Sequence, residues 1–390
     1  MLILAASLSI FVYGMTAAML GTILPDLSAR FGLTPKQNGS IAFCQALGLI
    51  LASIGVGPLI DYEGKKIGLV LGLALSGLAV ALLPRSNGFR AIASYLFLLG
   101  TGGGVIVTAA NALGSDVDPA HRGTALNLLN IFFGLGGFAT PFVSANLLRK
   151  NSTRLCYLIA GLALVTVAVN LSAPIPPPTS AQSFVFSEIG SVLGRPVLWL
   201  CSLLLFLYVA CEVGVWNWLV QHLIAQGVPQ VKALNVLSFG FALGLLFGRL
   251  AASVFLISLA GLTVTLAASV LMAIVTFAVL QTRSPIVAWM LTFLAGMSMA
   301  PVFPTTVAVI GDLFPRMTGT AIGIAITSGW IGLAVSSRII GSIASGGSTA
   351  SGGSIAAGDS ARLKKALLVL PGMSVLMIAV NIALRAVTSK

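Results

Sequence analysis

The feature that most limits what this chain can become is a succession of apolar runs, each long enough to cross a bilayer as one helix. About 20 apolar residues in a helix span the hydrocarbon layer of a membrane. Bounded by charges, Pro and Gly, twelve such runs are read at 2–24, 38–60, 66–83, 89–114, 122–148, 154–172, 197–222, 231–257, 260–281, 285–311, 319–343 and 363–386. Hydrophobic residues make up 57% of the 390 and charged ones only 8%, against about 25% charged in an ordinary soluble domain. The predicted class is an all-α membrane protein, integral and multi-pass, surrounded by lipid. The first 25 residues carry no charge and no basic residue precedes Arg30, so this run is read as a retained span and not as a cleaved leader.

Composition also narrows the function. The formal charge is +12, but the basic residues are scattered singly and form no stripe, so no nucleic-acid partner is expected. Cys44, Cys156, Cys201 and Cys211 lie in apolar runs without metal-type spacing and read as small packing residues. The only histidines are His121 and His222, both at predicted helix ends. No phosphate-binding loop, dinucleotide fingerprint or metal cluster is present, so no enzyme activity, cofactor or metal is expected. Gly100-Thr-Gly-Gly-Gly104 looks like a phosphate loop, yet it lies inside a hydrophobic run and is read as close helix packing.

The chain repeats itself. "GSDVDPAHRGTALNLLNIFFGLGG" (114–137) aligns with "IGDLFPRMTGTAIGIAITSGWIGL" (310–333). Asp116 meets Asp312, Pro119 meets Pro315, Gly123-Thr-Ala125 meets Gly319-Thr-Ala321 and Gly136 meets Gly332, all at one offset of 196 residues. "ALGLI" (46–50) meets "ALGLL" (242–246) at the same offset. A constant offset near half the chain length implies a duplicated six-helix bundle. The expected organisation is an N-terminal bundle over 1–172, a cytoplasmic linker over 173–196 that contains PIPPPTS, and a C-terminal bundle over 197–390.

Gly57-Pro-Leu-Ile-Asp61-Tyr-Glu-Gly64-Lys65-Lys66 resembles the loop signature between helices 2 and 3 of the major facilitator superfamily. "TAANAL" (108–113), "ALNLLNIFFGLGG" (125–137), "FLYVACEVGVWNWLV" (206–220) and "APVFPTTVAVIGDLFPRMTGTA" (300–321) are similar to its fucose–galactose–glucose:proton symporter branch. The resemblance implies twelve transmembrane helices in two pseudo-symmetric six-helix bundles, working as a monomer in a plasma membrane, the inner membrane in a bacterium. It implies secondary transport of a hexose-like sugar by alternating access with protons, sodium being the other coupling ion. A carrier exporting amphipathic small molecules is the alternative. The chain departs from the branch at two points: Val107 stands where an acid precedes Thr108-Ala-Ala-Asn111, and the first span holds no acid.

Of nine acidic residues, eight fall in predicted loops or at helix ends, and Glu212 alone lies well inside a span. Placing a charge there costs about 2.5–3.5 kcal/mol on insertion scales, so such a residue faces a polar path or a partner. Glu212 is read as the proton-coupling residue, with direct substrate binding without coupling and helix bonding as the other roles. Tyr208, Glu212 and Trp216 follow at i, i+4 and i+8 and share one helix face. Aromatic rings and a carboxyl suit the C–H faces and hydroxyls of a sugar. Gln45, Asn130, Tyr208, Trp216, Asn217 and Trp330 complete the expected substrate contacts, the amides serving equally as interhelical hydrogen-bond partners.

A gate is read from Asp61, Gly64, Lys65, Lys66 and Asp116, with a second cluster pairing Arg249 with Asp312 across the repeat. Charge pairs made in one state and broken in another bias a conformational equilibrium. The superfamily pattern puts both termini in the cytoplasm, which leaves eight basic residues inside and thirteen of 21 outside. The positive-inside rule favours the reverse; the loop signature, being specific in place, decides the expectation.

Overall fold

The computed structural model describes residues 2–33, 35–148, 151–177, 189–229, 232, 236–282, 284–344 and 360–388. Residues 178–188 of the expected linker therefore lie outside the described residues. In chain order the long helices are α1 (Leu2–Phe31), α2 (Pro35–Tyr62), α3 (Lys65–Leu82), α4 (Phe89–Val117), α5 (Arg122–Phe142) and α6 (Ser152–Ser172). Then follow α7 (Pro196–Ala225), α8 (Leu243–Phe255), α9 (Gly261–Gln281), α10 (Pro285–Met299, resuming as Val302–Leu313), α11 (Thr318–Ala344) and α12 (Val369–Thr388). Among the described residues eleven helices are long and apolar enough to cross a membrane, and Phe239–Phe255 is a shorter apolar helix. The shorter one falls on the eighth predicted run, where a π-helical stretch, Val236–Ala242, leads into α8. In lipid the backbone must satisfy its own hydrogen bonds, and helices do so.

The chain forms two compact units, one of residues 1–194 with 310–327, the other of 195–309 with 328–390. Within the first, α2 packs along α4, α1 along α5, and α3 against α4 and α6. Within the second, α8 packs along α10, and α9 and α7 each pack against α12. The α2–α4, α3–α6 and α1–α6 pairings recur six helices on as α8–α10, α9–α12 and α7–α12, so the sequence repeat is a structural one.

Glycines show why the repeat keeps its register. In the α2–α4 pair a Cβ on Gly48 would strike the Phe97 carbonyl and one on Gly100 the Gln45 carbonyl. In the α8–α10 pair Gly244 lies on the Phe293 carbonyl and Gly296 on the Phe241 carbonyl. All four contacts repeat at the 196-residue offset. Without a hydrophobic drive between helices in lipid, close backbone approach at small residues supplies the packing. The break in α10 at Ala300–Pro301 has a local cause, since Pro301 has no N–H for the Met297 carbonyl. Gly248 of α8 meets that carbonyl, and a Cβ there would lie 2.5 Å from it.

Candidate functional site

The loop signature builds a polar cluster inside the first unit. α2 ends at Tyr62, and Gly64 turns the chain with φ 99°, a value that favours glycine. That turn starts α3 at Lys65. Asp61 is 3% exposed, and its carboxylate accepts from the backbone N–H of Gly319 at 2.8 Å and of Thr320 at 2.7 Å. The Thr320 hydroxyl donates to the same group at 2.8 Å. These amides belong to the first turn of α11, where N–H groups have no intrahelical partner and the helix dipole favours an anion. Space for the approach comes from Gly57 and Gly319, since a Cβ on Gly57 would lie 2.8 Å from the Gly319 oxygen.

Ion pairs flank this cap. Lys65 Nζ lies 2.6 Å from Asp116 Oδ2. Arg122 donates to Asp312 at 2.8 Å and to the Ser115 carbonyl at 2.9 Å. Lys66 donates instead to the carbonyls of Leu171 and Ala173, at 2.6 and 3.1 Å, closing the C-terminal end of α6. Asp312, which the repeat pairs with Arg249 in the expected second cluster, takes Arg122, which opens α5 beside the end of α4. Sequence reading missed Arg122, although its place at a helix start, following a repeated aspartate, was the available signal.

Arg249 belongs to the second unit and is 3% exposed. On α7, Tyr208, Glu212 and Trp216 follow at i, i+4 and i+8 and share one face of the helix. The buried Tyr208 hydroxyl has no hydrogen-bond partner among the described residues. The i, i+4, i+8 stripe on α7 packs against aromatic side chains of the same unit. Phe303 lies at 6.5 Å from the Tyr208 ring, and Phe241 meets Trp216 edge-on at 5.2 Å. Tyr208 is fully buried whereas Trp216 is 38% exposed. On the α12 side Cys211 lies 3.6 Å from the Ser374 hydroxyl.

Other expected contacts are dispersed. The Asn130 amide donates to Asn111 Oδ1 at 3.0 Å and to the Leu126 carbonyl at 2.9 Å, so both its N–H groups are engaged inside the first unit. Gln45 is half-buried on α2, where its backbone carbonyl seats Gly100. Trp330 is half-buried on α11 in the second unit. The Asn217 side chain lies outside the described residues.

Residues 6–337 match the profile of the Major Facilitator Superfamily. A 4-hydroxybenzoate transporter of Pseudomonas aeruginosa is 30% identical over 50% of this chain and 44% of its own length. A glucose/galactose transporter of Brucella abortus is 26% identical over 62% of this chain and 64% of its own length. The chain thus spans about half to two thirds of the curated relatives it matches. Among solved structures, FucP, the fucose:proton symporter of E. coli, in its outward conformation superposes with a TM-score of 0.80 at 19% identity, covering 98% of each chain.

Proposed function

The chain belongs to the Major Facilitator Superfamily, and from that premise we propose that it is a secondary transporter moving a hexose-like sugar by alternating access with protons. The observation that carries this reading is the α7 stripe, in which Glu212 lies between Tyr208 and Trp216 at i, i+4 and i+8 on one helix face. Such a group offers apolar faces to a sugar ring and acceptors to its hydroxyls. A glucose/galactose transporter among the relatives supports the same class. Glu212 is the proton site in this reading, because it is the acid that lies well inside a span. Tyr208 and Trp216 line the substrate, and Gln45, Asn217 and Trp330 are further contacts. Asn130 serves the packing of its own unit first.

The Asp61 cap, with Lys65–Asp116 and Arg122–Asp312, is proposed as the gate. Its bonds hold the start of α11 in one state and are released in the other. Gly64 and Lys66 shape its frame. The gate faces the cytoplasm, as do both termini.

Counterflow in proteoliposomes tests the proposal, with labelled hexoses set against one multidrug-type cation. Exchange of a hexose establishes the sugar reading, and a pH gradient on the same vesicles reports coupling. Exchange of the cation alone moves the protein to the exporting alternative, and silence from folded protein ends both.

A further inference from the structure

α3 starts at Lys65 beside Asp61 and ends at Leu82, so the close of α3 marks the end of the first unit opposite Asp61. Arginines tie the elements that meet there. A 3-10 turn, Leu83–Arg85, follows α3, and the Arg85 guanidinium lies over the Tyr157 ring of α6 at 5.8 Å. Arg30, in the last turn of α1, donates to the Pro84 carbonyl at 3.5 Å. Arg154 stands one turn before Tyr157 on α6, and Arg90 lies in the first turn of α4. All four arginines are exposed, and Asp26 is the one acid that α1 brings to this end. Among the described residues the ion pairs Lys65–Asp116, His121–Asp118 and Arg122–Asp312 all lie at the Asp61 end, and none of the four arginines has a carboxylate partner. The helix ends deepen the imbalance. α4 and α6 both begin here, with no acidic residue in either first turn. A helix start carries partial positive charge, which disfavours the arginine that each first turn holds and favours an anion beside it.

An exposed apolar face runs up to these cations. On α6, Leu158, Leu164, Val165 and Leu171 are exposed on one side of the helix, and Arg154 and Tyr157 close that side at its start. On α3, Leu71 and Leu78 are exposed in line with Arg85. The two helices lie close, since a Cβ on Gly77 would stand 3.2 Å from the Ala163 methyl. A lipid whose chains lie along this face brings its phosphate to the level of Arg85, Arg154 and Tyr157. Arginine meets phosphate oxygens with two parallel N–H···O bonds, and tyrosine sits at the headgroup level of a membrane. We propose that Arg85, Arg154 and Tyr157 form a site for the headgroup phosphate of an anionic phospholipid whose acyl chains lie on the exposed α3–α6 face. Arg30 and Arg90 supply the surrounding positive field. The apolar face below the cations favours a lipid over a free anion, which would make no use of it. The site asks nothing of the solute carried, nor of which side of the membrane this end meets.

The test uses the full chain in detergent, with phosphatidylglycerol, phosphatidylcholine and glycerol 3-phosphate as probes. Native mass spectrometry counts the lipid retained, and thermal unfolding reads the stabilisation that binding brings. The expected result is that phosphatidylglycerol is retained and raises the Tm to a plateau. Phosphatidylcholine is retained less, and glycerol 3-phosphate leaves the Tm unchanged. Arg85→Gln with Arg154→Gln should weaken phosphatidylglycerol retention by about tenfold or more. Arg85→Lys with Arg154→Lys should weaken it less, because the charges stay and only the planar forks are lost. A phosphatidylglycerol with a photoreactive diazirine in its acyl chain should label α3 and α6 of the unaltered chain in preference to the other helices. That measurement decides even where a variant fails to fold. Equal retention of the two lipids overturns the inference. So does retention that the glutamine pair leaves untouched, or labelling spread evenly over the helices. Stabilisation by glycerol 3-phosphate equal to that by phosphatidylglycerol also overturns it, and makes the arginines a site for a free anion.

Discussion

The carboxylate of Asp61 receives both the backbone N–H and the hydroxyl of Thr320, at 2.7 and 2.8 Å, in the first turn of α11. With the Gly319 amide it thus satisfies three donors while itself almost fully buried. A charged acceptor at a helix start is stabilised by the dipole as well as by the bonds. At the 196-residue offset the counterpart of Asp61 is Ile257, so this device exists once in the duplicated chain.

Replacing Asp61 with Asn sets an amide N–H₂ against donors and removes the charge. The expected cost is about 1–3 kcal/mol at the start of α11. Hydrogen exchange of the 318–325 backbone, followed by mass spectrometry, should quicken in Asp61→Asn and hold in Glu63→Gln, since Glu63 is exposed. Spin labels on α2 and α11 should show a broader distance distribution in the same variant. Unaltered exchange would reduce the signature to a loop that shapes a turn.

Much of this was legible in the chain because lipid imposes lengths and the duplication imposes an offset. The α2–α4 and α8–α10 glycine contacts fall where the repeat puts them. The eighth run was harder to read, since apolar content says nothing of a π-helical entry to α8. Glu212 stood out because an acid inside a span is rare, and Asp61 because of its signature. Their partners did not. Every residue but proline has an N–H, so no pattern reveals that Asp61 will meet those of Gly319 and Thr320. Arg249 looked like a helix-end charge, and the structure buries it within α8.

Glu212→Gln separates proton coupling from exchange. A glutamine keeps the shape and an acceptor but holds no exchangeable charge at any pH. Accumulation driven by a pH gradient should fall to the uncoupled level, while counterflow of the same solute persists. Wild-type accumulation in this variant would remove Glu212 as the coupling residue and leave it a helix-bonding group.

The glycine register makes a stability prediction with an internal control. Gly244→Ala drives a methyl into the Phe293 carbonyl and should cost about 1–3 kcal/mol as the helices part. Gly161→Ala on α6 meets nothing within 4 Å. It should be neutral or stabilise by up to about 1 kcal/mol through helix propensity. Thermal unfolding of the purified protein in detergent compares the two. Equal behaviour would mean that the α8–α10 approach is not held by its glycines.

The conflict between the loop signature and the basic-residue bias is settled by labelling. Glu63 lies in the exposed turn between α2 and α3. Of the four cysteines, Cys156, Cys201 and Cys211 are buried and Cys44 is partly exposed, so a Cys44→Ser background leaves no accessible thiol. In that background Glu63→Cys should react with a membrane-impermeant maleimide in inside-out vesicles and stay unmodified in intact cells. Reaction in intact cells would place the Asp61 cap on the outer side. It would also bring the thirteen basic residues counted as external to the cytoplasm, where the charge rule prefers them.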